Sequence, residues 1–169
     1  PKAAGQYYCF AKDTGAPGAW LPGTPGINGR NTDGTTVADR GCISAGTPIS
    51  GINYIRDIVT TASQAGTFIL ADVLWVNTGL VVTTTTAQAI TQPTLPLRDN
   101  LGTSNGFGVG AGILVTTATT NAAAIANITL SYTNSEGVSG RTATISSYPA
   151  TAVIGTFVPF QLAQGDLGI

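Results

Sequence analysis

The chain of 169 residues carries seven basic and eight acidic side chains, a net charge of −1, and no histidine. Its length makes one domain the default and allows a core to form without disulfide or metal staples. Charged residues make up 9% of it, against roughly 25% in ordinary soluble domains, and no basic run is present, which argues against nucleic acid as a partner. Without histidine, the commonest general base and the commonest metal ligand are missing as well.

Residues 1–48 read as an extended arm. Their centre, "DTGAPGAWLPGTPGINGRNTDGTT" at 13–36, is dense in Gly and Pro. Proline lacks the backbone N–H that helices and central strands need, so neither is expected there. Trp20, Leu21 and Ile27 stand as isolated apolar anchors in this stretch, with Arg30 just beyond them. Anchors of this kind suit an arm lying on a surface, its own or a neighbour's. Cys9 and Cys42 are the only cysteines, and two readings stay open: a disulfide, if the N-terminal segment folds back, or two free thiols packed as small hydrophobes.

From residue 49 to 169 the pattern is that of short strands. "ISGINYIRDIV" at 49–59 sets apolar residues near helical spacing but is built from β-formers, so helix and strand compete. "FILADVLWV" at 68–76 is the longest mostly apolar run. It predicts a strand buried on both faces, with Phe68, Leu70, Trp75 and Val76 in the core. It is far shorter than the roughly 20 residues that span a bilayer, so no membrane partner is expected. Further strands are predicted at 79–90, 111–120 and 151–162, with a long connection at 91–106.

"ITLSYTNSEGVSGRTATI" at 128–145 predicts a hairpin. Ile128, Leu130 and Tyr132 alternate with Thr129, Ser131 and Thr133, and Thr142 to Ile145 alternate again. Each run therefore offers one apolar and one hydroxyl face. Asn134, Gly137 and Gly140 supply the turn chemistry between them. As a tip, this turn offers Glu136 and Arg141 to a neighbouring subunit. The fold class expected from the whole is all-β: an antiparallel, jelly-roll-like β-sandwich over 49–169 behind the Gly/Pro-rich arm of 1–48.

The search for reactive chemistry yields little. "GFGVGAG" at 106–112 is followed by β-like sequence rather than by a helix, so it fails the context of a dinucleotide loop. Glycine at every second position reads instead as a bare strand face against which a backbone or an aromatic ring packs. "NTDG" at 31–34 reads as a turn, lacking the alternating ligands and closing Glu of a calcium loop. The carboxylates, Asp99 and Asp166 among them, are scattered singly. Asn127, Ile128 and Thr129 form a glycosylation sequon. No catalytic residue, cofactor or metal ligand is assigned, and no enzyme is expected.

One resemblance enters at the C-terminal end. Residues 105–169 carry "SYTNSEGVSGR", with Ser131, Tyr132, Thr133, Asn134, Gly137, Gly140 and Arg141, followed by "PATAVIGTFVPFQLAQGD", Pro149 through Asp166. This pair of segments resembles virion structural proteins of tailed bacteriophages, and among them the head decoration, or cement, type. The resemblance implies a non-enzymatic component on the outer surface of the capsid, with the major capsid protein and its own copies, as a homodimer or homotrimer, for partners. The interface candidates are then Trp20, Leu21, Ile27, Arg30, Glu136 and Arg141. The alternative is a tail- or fibre-associated carbohydrate- or receptor-binding module, in which Trp20, Trp75, Tyr7, Tyr8 and Tyr148 stack on sugars.

Overall fold

The computed structural model of the chain describes residues 7–8, 30–31, 50, 59, 66–67, 69, 71–77, 79–90, 95–97 and 99–169. Among these there is no helix. The strands are β1 (Tyr7–Tyr8), β2 (Arg30–Asn31), β3 (Trp75–Val76), β4 (Gly112–Leu114), β5 (Thr119–Thr120), β6 (Ile125–Tyr132), β7 (Arg141–Tyr148), β8 (Thr151–Ala152) and β9 (Thr156–Pro159). They pair as β1–β9–β4, β2–β3, β5–β8 and β6–β7, always antiparallel. Over the described residues the chain is all-strand, consistent with the all-β expectation.

The predicted hairpin is the longest ladder. Tyr132 lies opposite Arg141, and Ile128 opposite Ile145. Its faces divide as the alternation requires: Ile128, Leu130 and Tyr132 turn inward, while Thr129 and Ser131 are exposed. On β7, Ala143 and Ile145 are buried and Thr142 is exposed. Beyond Ile128 the phase changes. Asn127 has a φ of 57°, the left-handed conformation that asparagine tolerates better than most residues. Past it Ile125, not Ala126, faces inward, and across the ladder Tyr148 is buried while Ser146 and Ser147 are exposed. Both strands therefore change face at the same level. The change lets Ile125 and Tyr148 join Ile128 and Ile145 in one core.

That core is built on Val115, Ile145, Tyr148 and Ala152, with Val82, Ile113, Ile125, Ile128, Val158 and Phe160 packed against it. Among the described residues Tyr148 is the largest side chain that is fully buried. The residues come from β4, β6, β7, β8 and β9 and from the segments beside them, with Val82 from the stretch before β4, so the core joins the hairpin to the β1–β9–β4 sheet. The junction is covalent as well. β9 runs against β4 as far as the Gly112–Pro159 pair. The chain then continues to Gln161, which exchanges two backbone hydrogen bonds of 2.9 Å with Thr144 of β7. A segment that leaves one sheet and adds to another makes such a corner. Pro159 sits beyond the two residues that pair with β1, where a missing N–H disrupts no ladder.

Several expectations are corrected. Among its described residues the run at 68–76 is not a strand buried on both faces: Trp75–Val76 is strand, Leu74 is the one buried residue, and Ala71 and Asp72 are exposed. Ile69 is 61% exposed. Phe68 and Leu70 lie outside the described residues. The stretch 79–90 contains no strand. It turns at Val82 and Thr83, and the Gln88 side chain occupies both backbone groups of Val81, at 2.8 and 2.9 Å. Its Thr-rich sequence has β propensity but only Val82 reaches the core, and propensity without a packed face does not hold a strand. The remainder of 49–59 between Ser50 and Val59 lies outside the described residues. Of residues 1–48, β1 and β2 are described, and they pair with β9 and β3.

The inward face of β7 gives a direct test. Ile145→Ala is expected to cost about 2–4 kcal/mol through lost contact and an unfilled cavity. Thr142→Ala on the exposed face is expected to stay within about 0.5 kcal/mol. Urea unfolding monitored by tyrosine and tryptophan fluorescence checks both, and equal effects would contradict the assignment of faces.

Candidate functional site

The described residues concentrate their charge and hydrogen bonding at one end of the hairpin, where the C-terminal segment 163–169 crosses two loops. The loops share one local design. In the first, Asp99 Oδ1 accepts from the N–H groups of Leu101 (3.0 Å) and Thr103 (2.6 Å). Gly102 N–H donates to Asp99 C=O, and Asp99 N–H to Thr103 C=O. In the second, Asn134 Oδ1 accepts from Glu136 (3.1 Å) and Val138 (2.9 Å). Gly137 N–H donates to Asn134 C=O, and Asn134 N–H to Val138 C=O. "DNLGT" and "NSEGV" thus fold by the same four bonds. A short side-chain acceptor at the first position and glycine at the fourth are what such a turn asks for, and Gly102 and Gly137 carry φ values of 71° and 82°.

The loops differ in the second polar atom of the leading side chain. Asp99 Oδ2 accepts from the Thr103 hydroxyl (2.6 Å) and from the N–H groups of Gly106 and Phe107 (3.1 Å each). Only a carboxylate has acceptors on both sides. Asn134 Nδ2 instead donates to Asp166 Oδ1 at 2.9 Å. There an amide is required, because a second carboxylate would face Asp166 with like charge.

Asp166 is the centre of the arrangement. Besides Asn134, it accepts from the Tyr132 hydroxyl and from Arg141 Nε at 2.8 Å. The Tyr132 oxygen in turn accepts the Ala163 N–H at 3.0 Å, and Arg141 Nη2 donates to Gln164 C=O at 3.3 Å. The Asp166 side chain is 4% exposed and that of Arg141 34%, so the pair has a dry and a wet side. Tyr132 and Arg141 are opposite each other at the mouth of the hairpin. The ladder register therefore delivers both donors to one carboxylate. The segment then passes on to the other loop: Ser135 N–H donates to Gly168 C=O, Gly108 N–H to Leu167 C=O at 2.7 Å, and Ile169 N–H to Val109 C=O. The approach is so close that a Cβ on Gly106 would stand 1.6 Å from the Ile169 oxygen, and one on Gly168 2.0 Å from the Gly106 oxygen.

Electrostatics follow the hydrogen bonds. The Arg141 guanidinium, and after it the Tyr132 hydroxyl, hold Asp166 well below the usual carboxylate range in spite of its burial. Burial, and then the bond to Asp166, push the Tyr132 phenol up, and the same carboxylate raises Arg141. Burial also works against charge on Asp99, but the Thr103 hydroxyl and the N–H groups of Thr103, Leu101 and Phe107 outweigh it and bring that pKa to about 2. The shifts of Asp99, Tyr132, Arg141 and Asp166 all run away from neutrality, so these four groups keep their ordinary charge states at neutral pH and the arrangement holds its parts together.

The glycine row reads differently from a bare strand face. Gly106 and Gly108 lie in turns with positive φ. Gly106 meets the backbone of Ile169, Gly108 the Asn100 side chain and Gly112 the Phe157 ring, while Gly110 faces open space. Close approach was thus legible, and the strand was not, except at Gly112. Of the interface candidates, Glu136 is exposed on the hairpin turn and Arg141 is engaged with Asp166. Arg30 is in β2 opposite Val76. Trp20, Leu21 and Ile27 lie outside the described residues, as do Cys9 and Cys42. Tyr148 is in the core, Trp75 is half-buried in β3, and Tyr7 and Tyr8 form β1. Sequence reasoning passed over Asp99 and Asp166 as isolated carboxylates. The spacing Asp-x-x-Gly, repeated as Asn-x-x-Gly, was the available signal for the first; nothing local marks the second. Comparison with protein-family models, curated proteins and solved structures finds no match to this chain.

Two predictions follow from this geometry. A carboxylate whose folded pKa is depressed contributes stability that is present above its unfolded value, about 3.9, and is lost as pH falls toward the folded value. Asp166→Asn is therefore expected to unfold at lower denaturant than wild type at neutral pH, with the gap closing below about pH 4. A gap that does not change with pH would contradict the ion pair's role. The loop pair gives a reciprocal test. Asn134→Asp is expected to destabilise the neutral-pH protein and to regain stability on acidification, whereas Asp99→Asn, which turns an amide donor toward two N–H donors, destabilises at both pH values. Thermal melts of the two variants across pH separate these outcomes.

Proposed function

We propose that the chain is a structural component of a tailed-phage virion, a capsid cement protein that binds the major capsid protein on the outer surface and stabilises the head shell. In this reading the sheets form a jelly-roll-like sandwich, and residues 1–48 act as an arm that reaches over neighbouring subunits. The observation that carries it is the use made of the two segments on which the phage resemblance rests. Tyr132, Asn134 and Arg141 of the first segment all bond Asp166 of the second. The residues that carry the likeness thus have a mechanical role, with Tyr132, Arg141 and Asp166 held in their ordinary charge states, which suits a protein selected for rigidity rather than turnover.

The apolar surface supports the same reading. Among the described residues, eleven large hydrophobic side chains are exposed, Val59, Leu97 and Leu101 most of all at 87%, 73% and 65%. Single exposed apolar residues are ordinary, but this many beside so small a core suits a protein with neighbours to cover them. A shell multiplies modest contacts by symmetry, so avidity supplies what one contact lacks.

The test is co-sedimentation with purified empty phage shells that lack the protein. Saturable binding, and shells that survive heat or low salt better when coated, are the expected result. Replacing Trp20, Leu21 and Ile27 together by alanine is expected to lower shell affinity by at least tenfold while the unfolding transition is retained. No binding by the unaltered protein would overturn the cement reading, and a positive glycan-array screen would then favour the tail or fibre alternative.

A further inference from the structure

The hairpin has one used edge and one open edge. Thr144 of β7 directs both its N–H and its C=O at Gln161, away from β6. In an antiparallel ladder, residues directly opposite alternate between pairs that exchange both bonds and pairs that exchange none. Thr144 is opposite Thr129, so this pair exchanges none, and the backbone groups of Thr129 point away from β7 too. By the same alternation those of Ser131 do, while Ile128, Leu130 and Tyr132 bond β7. Among the described residues no strand pairs with this outer edge, and no backbone hydrogen bond reaches it.

Natural edges are usually blunted by lysine, proline, a bulge or an inward charge. From Ile128 to Thr133 this edge has none of these, and Thr129, Ser131 and Thr133 are all exposed. We propose that the outer edge of β6 is the interface through which the chain pairs with a second copy of itself, β6 against β6, antiparallel about a two-fold axis at Leu130. This inference is independent of the capsid reading and does not need it.

A second copy is the occupant because the edge is complementary to itself. With Leu130 on the axis, Thr129 lies opposite the partner's Ser131 and Ser131 opposite the partner's Thr129. Within the regular part of β6, from Ile128 to Tyr132, these are the two residues whose N–H and C=O groups are open, and the pairing satisfies them together. On a two-fold axis at Leu130 a charge at that position would meet its own image, and like charges at 129 and 131 would face each other. This segment is free of charge. On the inner face Leu130 meets its copy and Ile128 comes opposite the partner's Tyr132, covering two side chains that are only half-buried. On the outer face hydroxyl meets hydroxyl, a favourable cross-strand pair. The left-handed Asn127 ends the regular edge on one side and the hairpin turn ends it on the other, and Leu130 is the centre of the stretch between them, Ile128 to Tyr132.

Sedimentation equilibrium of the full chain tests the proposal. The unaltered protein is expected at twice the chain mass of 17.0 kDa. Ser131→Pro removes an N–H that no bond within the hairpin uses, so it is expected to fold with an unchanged circular dichroism spectrum and to sediment as a monomer. Thr129→Lys with Ser131→Lys sets lysine against lysine and is expected to be monomeric, whereas Thr129→Lys with Ser131→Glu sets opposite charges together and restores the dimer. A monomeric wild type, whether because other parts of the chain cover the edge or because nothing does, overturns the proposal. So does an oligomer that all three variants leave intact.

Discussion

The buried carboxylate of Asp166 is the constraint on which the C-terminal end of this protein depends. It is a charge taken almost wholly out of water, and such a charge is tolerated only with its hydrogen-bonding capacity filled and an opposite charge beside it. Both conditions are met from one place, the mouth of the β6–β7 hairpin, where Tyr132 and Arg141 face each other and Asn134 follows two residues later. Removing any one donor leaves the carboxylate short, so the four residues act as a unit. The fixed position of Asp166 in turn sets where Leu167, Gly168 and Ile169 run, and so fixes the loop at 99–109 against the hairpin.

The paired loops show how one backbone solution takes two side chains. Asp99 and Asn134 make the same four bonds within their turns. They differ only in what lies on the far side of the side chain. Around Asp99 the neighbours are donors, and a carboxylate accepts from all of them; beside Asn134 the neighbour is itself a carboxylate, and an amide answers it. The choice between aspartate and asparagine is thus made by what the second polar atom meets: N–H and hydroxyl donors of the same loop at Asp99, and a carboxylate of the C-terminal segment at Asn134.

This is also why the sequence revealed the pieces and not the assembly. The hairpin was legible because its alternation and turn residues are local, and its register follows from the turn. The face change at Asn127 was not, since its cause is tertiary: Ile125 and Tyr148 gain a shared core by it. Among the described residues the strand expected at 68–76 is reduced to Trp75–Val76 and the one at 79–90 does not form, for the complementary reason. Their composition is β-like, yet strand propensity reflects a fit to a packed surface, and of the residues described there Leu74 is the one buried and Val82 the one packed against the core cluster. The glycines at 106, 108 and 112 announced close neighbours without naming them. Asp166 gave no sign at all, because what distinguishes it from any exposed aspartate lies 25 to 34 residues away.

The division of labour between the two edges of the hairpin follows from the same geometry. β7 is closed on its outer side by Gln161, and that closure is secured a few residues later by the Asp166 bonds. The segment can add to only one edge, and by taking β7 it leaves the groups of Thr129 and Ser131 facing outward. An edge without charge, proline or bulge is a liability in a protein that stays alone, since it invites unspecific pairing. In a protein that joins its own copies the same edge is an asset, because the left-handed Asn127 and the hairpin turn bound it at both ends. The bonds that close one edge therefore define the other, and rigidity at the C-terminal end becomes specificity on the opposite side of the same two strands.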